Sequence, residues 1–222
     1  MDPRPLQGGN VKLDQTTHRL QDGCFFPEKQ AKDLLVLHFT SGYGAASSIS
    51  GWNAVKNGVS TPYILDLDGT LYETYDPSLW SYHLGIPGSD SGNHKHDKRS
   101  IGLEIANIGP LKKIGNDLLC WPKNFTQRYC SASDKGSFVQ KSYRGFDYYA
   151  AFTEAQKKAI PEAVKMICDK FGIPMVMPPK DKWLEFDLPY YSKWKGMSNH
   201  GNFRADKYDL GPALEYDEIL AV

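Results

Sequence analysis

The chain has 222 residues with 26 basic and 26 acidic side chains, and it is 41% hydrophobic and 13% aromatic. That length fits one domain with a real core, and the balanced charge argues against duplex DNA or another highly charged polymer as partner. No apolar run approaches the roughly 20 residues that span a bilayer, and Met1–Gly9 lacks the apolar stretch of a secretory signal, so the expectation is a soluble monomer made in the cytoplasm without membrane insertion.

Residues 1–30 are polar, with Pro, Gly and Gln, and predict an extended arm ahead of a main domain over 31–222. Asp33–Phe39 reads as a continuous apolar run with His38 near its end, the pattern of a strand buried on both faces. Ala45–Asn57 has helical spacing, with Ile49, Trp52, Ala54 and Val55 toward one side and Gly58 as a stop. Pro62–Leu67 and Thr70–Thr74 flank Asp68-Gly69, a strong hairpin signal. Arg99–Ala106 predicts another strand, in which Ile101, Leu103 and Ile105 share one face and Gly102, Glu104 and Ala106 the other. A carboxylate between two small residues has open space around it and suits a cleft wall.

Residues 107–150 are aromatic-rich and predict an irregular insertion. Thr153–Phe171 is the clearest helix: Thr153 with Gln156 makes a capping box, Ile160, Ala163, Val164, Ile167, Cys168 and Phe171 form its stripe, and Gly172 ends it. Pro161 is expected to kink or break it. A long Pro- and Trp-containing loop over 174–200 and a short helix within Pro212–Val222 complete the chain. Strands separated by helices, with an early hairpin, indicate a single α/β domain with a central mixed β-sheet flanked by helices. None of the four cysteines forms a C-x-x-C pair, so free thiols are expected, with a Cys120–Cys130 bridge left open for an oxidising compartment.

The chemistry concentrates near the two ends. His38 closes the first strand, and His200 is followed nine residues later by Asp209. Two imidazoles and one carboxylate can hold zinc and leave its fourth position open for water, which is a hydrolytic tool. His94 and His96, in Asn93-His94-Lys95-His96-Asp97, are the competing ligands, and their polar setting predicts a solvated loop or a cleft rim. Glu104 is the leading candidate for a general base. Lys207, two residues before Asp209, is placed to stabilise an oxyanion.

Five segments occur together in order: Val36-Leu37-His38-Phe39-Thr40, Ser60–Glu73, Ser81-Tyr82-His83-Leu84-Gly85, Ser100–Asn107 and His200–Pro212. In these the chain resembles the zinc-dependent N-acetylmuramoyl-L-alanine amidases, the type that includes phage lysozyme-like amidases and peptidoglycan recognition proteins. The resemblance implies that fold, a Zn2+ cofactor on His38, His200 and Asp209, and hydrolysis of the amide between N-acetylmuramic acid and L-alanine of peptidoglycan. It implies Glu104 as base with Lys207 assisting; a tyrosine on the early hairpin serves in some branches, which keeps Tyr63 open as base, substrate contact or core aromatic. It also implies that His83 lines the substrate cleft, with a buried structural histidine as the other reading, and that Asn107 either touches substrate or caps its strand. Loop aromatics (Trp121, Tyr148, Tyr149, Trp183, Tyr190, Tyr191 and Trp194) are candidate groove walls. The expected setting is a phage endolysin, a bacterial autolysin or a recycling enzyme, acting on the wall after release or export where the wall is the target. The rival class is a recognition module that holds peptidoglycan without cutting it; all three ligand positions are filled here.

Overall fold

The computed structural model describes residues 11–87 and 93–220. In chain order the first half contains β1 (Leu13–Asp14), β2 (Leu34–Phe39), α1 (Ala45–Val55), β3 (Tyr63–Leu65), β4 (Leu71–Glu73), α2 (Lys95–Arg99) and β5 (Ser100–Ile105). Then come β6 (Pro110–Ile114), β7 (Asp117–Cys120), β8 (Gln127–Ser131), β9 (Phe138–Tyr143) and β10 (Phe146–Ala150). The chain ends through α3 (Glu154–Phe171), α4 (Leu188–Tyr191), β11 (Gly196–Asn199) and α5 (His200–Phe203). A single 3₁₀ turn, Tyr216–Glu218, stands where the sequence predicts a terminal helix.

The main sheet is mixed, in the order β1-β4-β3-β5-β2-β11; only the β3–β4 hairpin is antiparallel. β2 is an interior strand paired on both sides, with β5 and β11, and is apolar without interruption until His38. Leu35, Leu37, Tyr63, Leu65, Ile101 and Leu103 face α3 and meet Ile160, Ala163, Val164 and Ile167 in the main core. Burying one such aliphatic side chain is worth ~1.5–3 kcal/mol, so this face supplies much of the apolar stabilisation. The helix is capped at Thr153 by reciprocal bonds with Gln156. Pro161 does not break it; the helix runs unbroken to Phe171, with the proline buried.

On the opposite face, register aligns Val36 with Gly102 and His38 with Glu104. Paired residues of parallel strands point the same way, so this face carries the polar groups while Leu37, Leu103 and Tyr63 point to α3.

The segment expected to be irregular is a second sheet. β6–β10 form five antiparallel strands in the order β8-β7-β6-β10-β9, over a small core of Ile108, Leu111, Leu118, Cys120, Cys130, Phe138 and Ala150. Cys120 and Cys130 are buried free thiols in that core. The hairpin signal lies in two short turns: Gly115 at φ 59°, and Arg144-Gly145 with both φ positive. Of the predicted arm, residues 11–30 lie along the main sheet, where β1 pairs with β4 and Cys24 and Leu20 are buried; residues 1–10 lie outside the described residues. Among the described residues no helix is long and apolar enough to cross a membrane.

Candidate active site

His38 stands at the carboxyl end of β2, and β11 runs parallel beside it, so the chain delivers His200 to the same edge of the sheet. Ligand sites of α/β sheets gather at that edge. α5 begins at His200, where Asn202 Oδ1 accepts the Asn199 N–H at 2.9 Å across the first turn. The chain then loops through Arg204–Tyr208 and returns Asp209, whose carbonyl accepts the Gly201 N–H at 2.8 Å.

These turns bring three donor atoms together. His38 Nδ1 lies 3.0 Å from His200 Nδ1 and 3.1 Å from Asp209 Oδ2, and His200 Nδ1 lies 3.0 Å from the same oxygen. All three residues are buried. A tetrahedral cation with ligands at ~2.0–2.2 Å holds its donors ~3.3–3.6 Å apart, so the triangle, a few tenths of an ångström tighter, has the chemistry and nearly the size of a metal site. His200 Nε2 faces the Leu84 carbonyl at 2.9 Å. That oxygen can only accept, so Nε2 carries the proton and Nδ1 presents its lone pair to the cluster.

Electrostatics support the same grouping. Burial alone would raise the Asp209 carboxyl, but the imidazoles of His200 and His38 outweigh it and hold it far below the usual carboxylate range. Burial, then the neighbouring His200, pushes His38 down to about 4 against the pull of Asp209. Burial followed by the Asp209 charge raises Glu104 to about 8, with the Lys207 ammonium acting in the other direction. Glu104 Oε2 is buried and accepts no hydrogen bond from the described residues.

A cavity of about 430 Å³ opens over this cluster; His38, His83, Glu104, His200, Lys207 and Asp209 line its floor. Trp121, Phe125, Phe146 and Tyr208 line its side. Their rings run in sequence: Trp121 is edge-on to Phe125 at 5.7 Å, Phe125 stacks on Phe146 at 5.4 Å, and Phe146 is edge-on to Tyr208 at 5.4 Å. Of the aromatics expected from sequence only Trp121 lines the cavity. Tyr149, Trp183 and Tyr191 are buried, and Tyr190 and Trp194 stack on each other elsewhere. Phe125, Phe146 and Tyr208 were not anticipated; the register of the second sheet is what brings Phe146 to them.

Two expected site residues lie apart. Tyr63 points to the α3 face, where its hydroxyl donates to Glu73 Oε2 at 3.2 Å and burial, then Glu73, drives its pKa upward. It neither lines the cavity nor reaches the histidines, because its strand position puts it on the opposite face from His38. Asn107 spends its amide on the fold: Nδ2 donates to the Ala150 and Ala151 carbonyls and Oδ1 accepts from the Gly109 N–H. That is the strand-capping alternative, tying β5 to the second sheet. His94 and His96 do not line the cavity; His94 packs on Tyr82 with centroids 4.4 Å apart, and His96 is buried on α2 rather than solvated.

Arg144 was invisible to sequence reasoning. From the β9–β10 turn its guanidinium donates to the carbonyls of Gly201 at 2.9 Å, Arg204 at 3.0 Å and Lys207. The second sheet thereby grips the loop that carries Lys207 and Asp209.

The family model described as N-acetylmuramoyl-L-alanine amidase matches residues 28–200, which include His38, His83, Glu104 and His200 and stop short of Lys207 and Asp209. No curated protein sequence matches the chain. Among solved structures, the amidase AmiD from E. coli is similar with a TM-score of 0.51 and 17% identity, covering 87% of this chain and 58% of that one. AmpDh3 from Pseudomonas aeruginosa is similar with a TM-score of 0.50 and 16% identity, covering 93% of this chain and 63% of that one. The chain thus spans about three fifths of the length of each.

Proposed function

The chain belongs to the N-acetylmuramoyl-L-alanine amidase family, and we propose that it cleaves its amide with a zinc ion held by His38, His200 and Asp209. It is a hydrolase of the bond between N-acetylmuramic acid and L-alanine in peptidoglycan. The observation that carries the zinc reading is the triangle of His38 Nδ1, His200 Nδ1 and Asp209 Oδ2, with edges of 3.0–3.1 Å. Two neutral imidazoles and a carboxylate suit zinc better than calcium or magnesium, which prefer oxygen ligands. Held there, zinc would supply Lewis-acid chemistry, lowering the pKa of a water to ~7 and polarising a carbonyl.

The chain's own residues divide the remaining work. Glu104, buried and raised to about 8, accepts the proton of the attacking water and returns it to the leaving amine. A carboxyl poised near neutral pH can do both, and a cation beside it favours its ionised form. Lys207 lines the same floor and supports the carbonyl oxygen as negative charge develops. His83 also lines the floor, beneath any bound substrate.

The aromatic wall supports one orientation of the substrate. A muramoyl ring presents a flat C–H face, whereas an Ala- and Glu-containing stem has no large apolar surface. The sugar therefore packs along Trp121, Phe125 and Phe146, and the stem peptide leaves on the open side. AmiD, the similar E. coli amidase, has been captured with anhydro-N-acetylmuramic acid-L-Ala-D-gamma-Glu-L-Lys as its substrate. A soluble muropeptide of that class is the direct test. Mass spectrometry should detect free stem peptide and an intact sugar lactyl acid. Chelation should abolish the cut and zinc should restore it; full activity after verified metal removal would overturn the zinc reading.

A further inference from the structure

We infer that His83 and Ser100 are positioning residues that hold His38 in the tautomer whose Nδ1 lone pair faces His200 and Asp209. The inference rests on the zinc reading above for its consequence, but its structural basis is independent of it.

The basis is a directed chain of hydrogen bonds. Ser100 Oγ lies 2.6 Å from the His96 carbonyl, with the Asp97 carbonyl at 3.4 Å, and both oxygens can only accept. The hydroxyl hydrogen therefore points at them, and Ser100 Oγ is left as an acceptor toward His83 Nε2, 2.7 Å away. With its proton on Nε2, neutral His83 has a lone pair on Nδ1, which lies 3.0 Å from His38 Nε2. His38 then donates from Nε2, and its Nδ1 is free of hydrogen where it meets the other two donor atoms. The reverse direction would withdraw the hydroxyl from the His96 carbonyl and push an N–H into the triangle.

Two further features hold the relay in place. Asp97 Oδ1 accepts the backbone N–H groups of His83 at 3.0 Å and Leu84 at 2.9 Å. Gly102 leaves room for the ring: a Cβ there would stand 3.2 Å from His83 Cγ and Nδ1 and 2.6 Å from Thr61 Cγ2. The pinned dipeptide serves both histidines, His38 through the His83 ring and His200 through the Leu84 carbonyl. Groups that orient a metal-ligating histidine typically contribute ~10–100-fold in metal affinity.

The test uses the purified full chain. Long-range ¹H–¹⁵N correlation on the metal-free protein at neutral pH, with His38→Gln for assignment, should show His38 as the Nε2–H tautomer. Ser100→Ala should shift it toward a mixture. Zinc competition against a chromogenic chelator should then show His83→Phe weakened by ~10-fold or more, and His83→Asn, whose Oδ1 can replace the Nδ1 acceptor, recovering most of the loss. If His83→Phe does not fold, the wild-type spectrum and Ser100→Ala still decide. An Nδ1–H tautomer in the wild type overturns the inference, as does wild-type zinc affinity in both His83→Phe and Ser100→Ala. Absence of zinc binding by the wild type would overturn the zinc reading instead, while the tautomer spectrum still judges the relay.

Discussion

Arg144 and Lys207 belong to different sheets' worth of structure, yet the guanidinium of one donates to the main-chain carbonyl of the other. Its other bonds reach Gly201 and Arg204, so one side chain from the β9–β10 turn ties together both ends of the loop between His200 and Asp209. Removing it leaves three carbonyls without that donor. Arg144→Ala should cost about 1–3 kcal/mol of stability by chemical denaturation, the range for one unsatisfied buried acceptor, since the three bonds are only part-buried and the Arg204 carbonyl keeps the Lys207 N–H. It should also weaken zinc binding by ~10-fold, because Asp209 is no longer held in register. Lysine cannot supply the planar fork, so Arg144→Lys should recover little. Unchanged zinc affinity in Arg144→Ala would mean that the second sheet does not brace the site.

Glu104 gives the cleanest separation of chemistry from metal binding. It lines the floor and is not one of the three clustered donors. Glu104→Gln should retain one zinc per chain by metal analysis and lose ~10²–10⁴-fold in turnover. A variant that keeps its rate would remove Glu104 from proton transfer. Tyr63→Phe should leave the rate intact, because that hydroxyl is engaged with Glu73 on the other face of the sheet.

The aromatic wall predicts a different kinetic pattern. Trp121 is 53% exposed and the outermost ring of the series that ends at Tyr208. Trp121→Ala and Phe146→Ala should each raise KM for the muropeptide by about 5–10-fold with kcat little changed, the mark of binding lost equally from ground and transition states. A free stem peptide used as competitive inhibitor should be insensitive to both changes. If peptide inhibition weakens and sugar binding does not, the substrate lies the other way round.

How much of this was legible in the sequence follows from the range of the signals. β2 was readable because a strand buried on both faces is apolar throughout, and the break at His38 therefore stood out. α3 was readable from its cap and stripe, although Pro161 proved compatible with an unbroken helix. The three donors were legible only as residue types in motifs; their meeting depends on β11 pairing with β2 across more than 150 residues, which no local pattern encodes. The second sheet was missed because its strands are half-exposed, with Lys112, Lys113 and Ile114 exposed beside buried Leu111, so the alternation is diluted. Of the readings open for Tyr63 the core aromatic is the one the register with Leu103 selects; the sequence left it open because a shift of one residue changes the face of a strand.

The buried site should also leave opposite signatures in the pH dependence of the metal-free protein. Glu104 is raised to about 8 by burial, so the folded state holds its proton more tightly than the unfolded state, and its ionisation costs stability as pH rises from about 4.5 through 8. Glu104→Gln, which mimics the protonated acid, should therefore be more stable than wild type at pH 8.5 and equal to it near pH 4.5. His38 acts with the other sign. Burial lowers it from 6.5 to about 4, so the unfolded state binds the proton first, and stability is complete above pH 6.5 and lost as pH falls toward 4. His83, lowered by burial and by His38, adds in the same direction. In metal-free Glu104→Gln, where the opposing group is absent, urea unfolding should report a loss of roughly 3 kcal/mol between pH 6.5 and 4, because each tenfold difference in proton affinity between the folded and unfolded chain is worth ~1.4 kcal/mol. Adding His38→Gln to that background should flatten much of the slope. A slope unaltered by the second substitution would show that His38 is not held neutral by the fold.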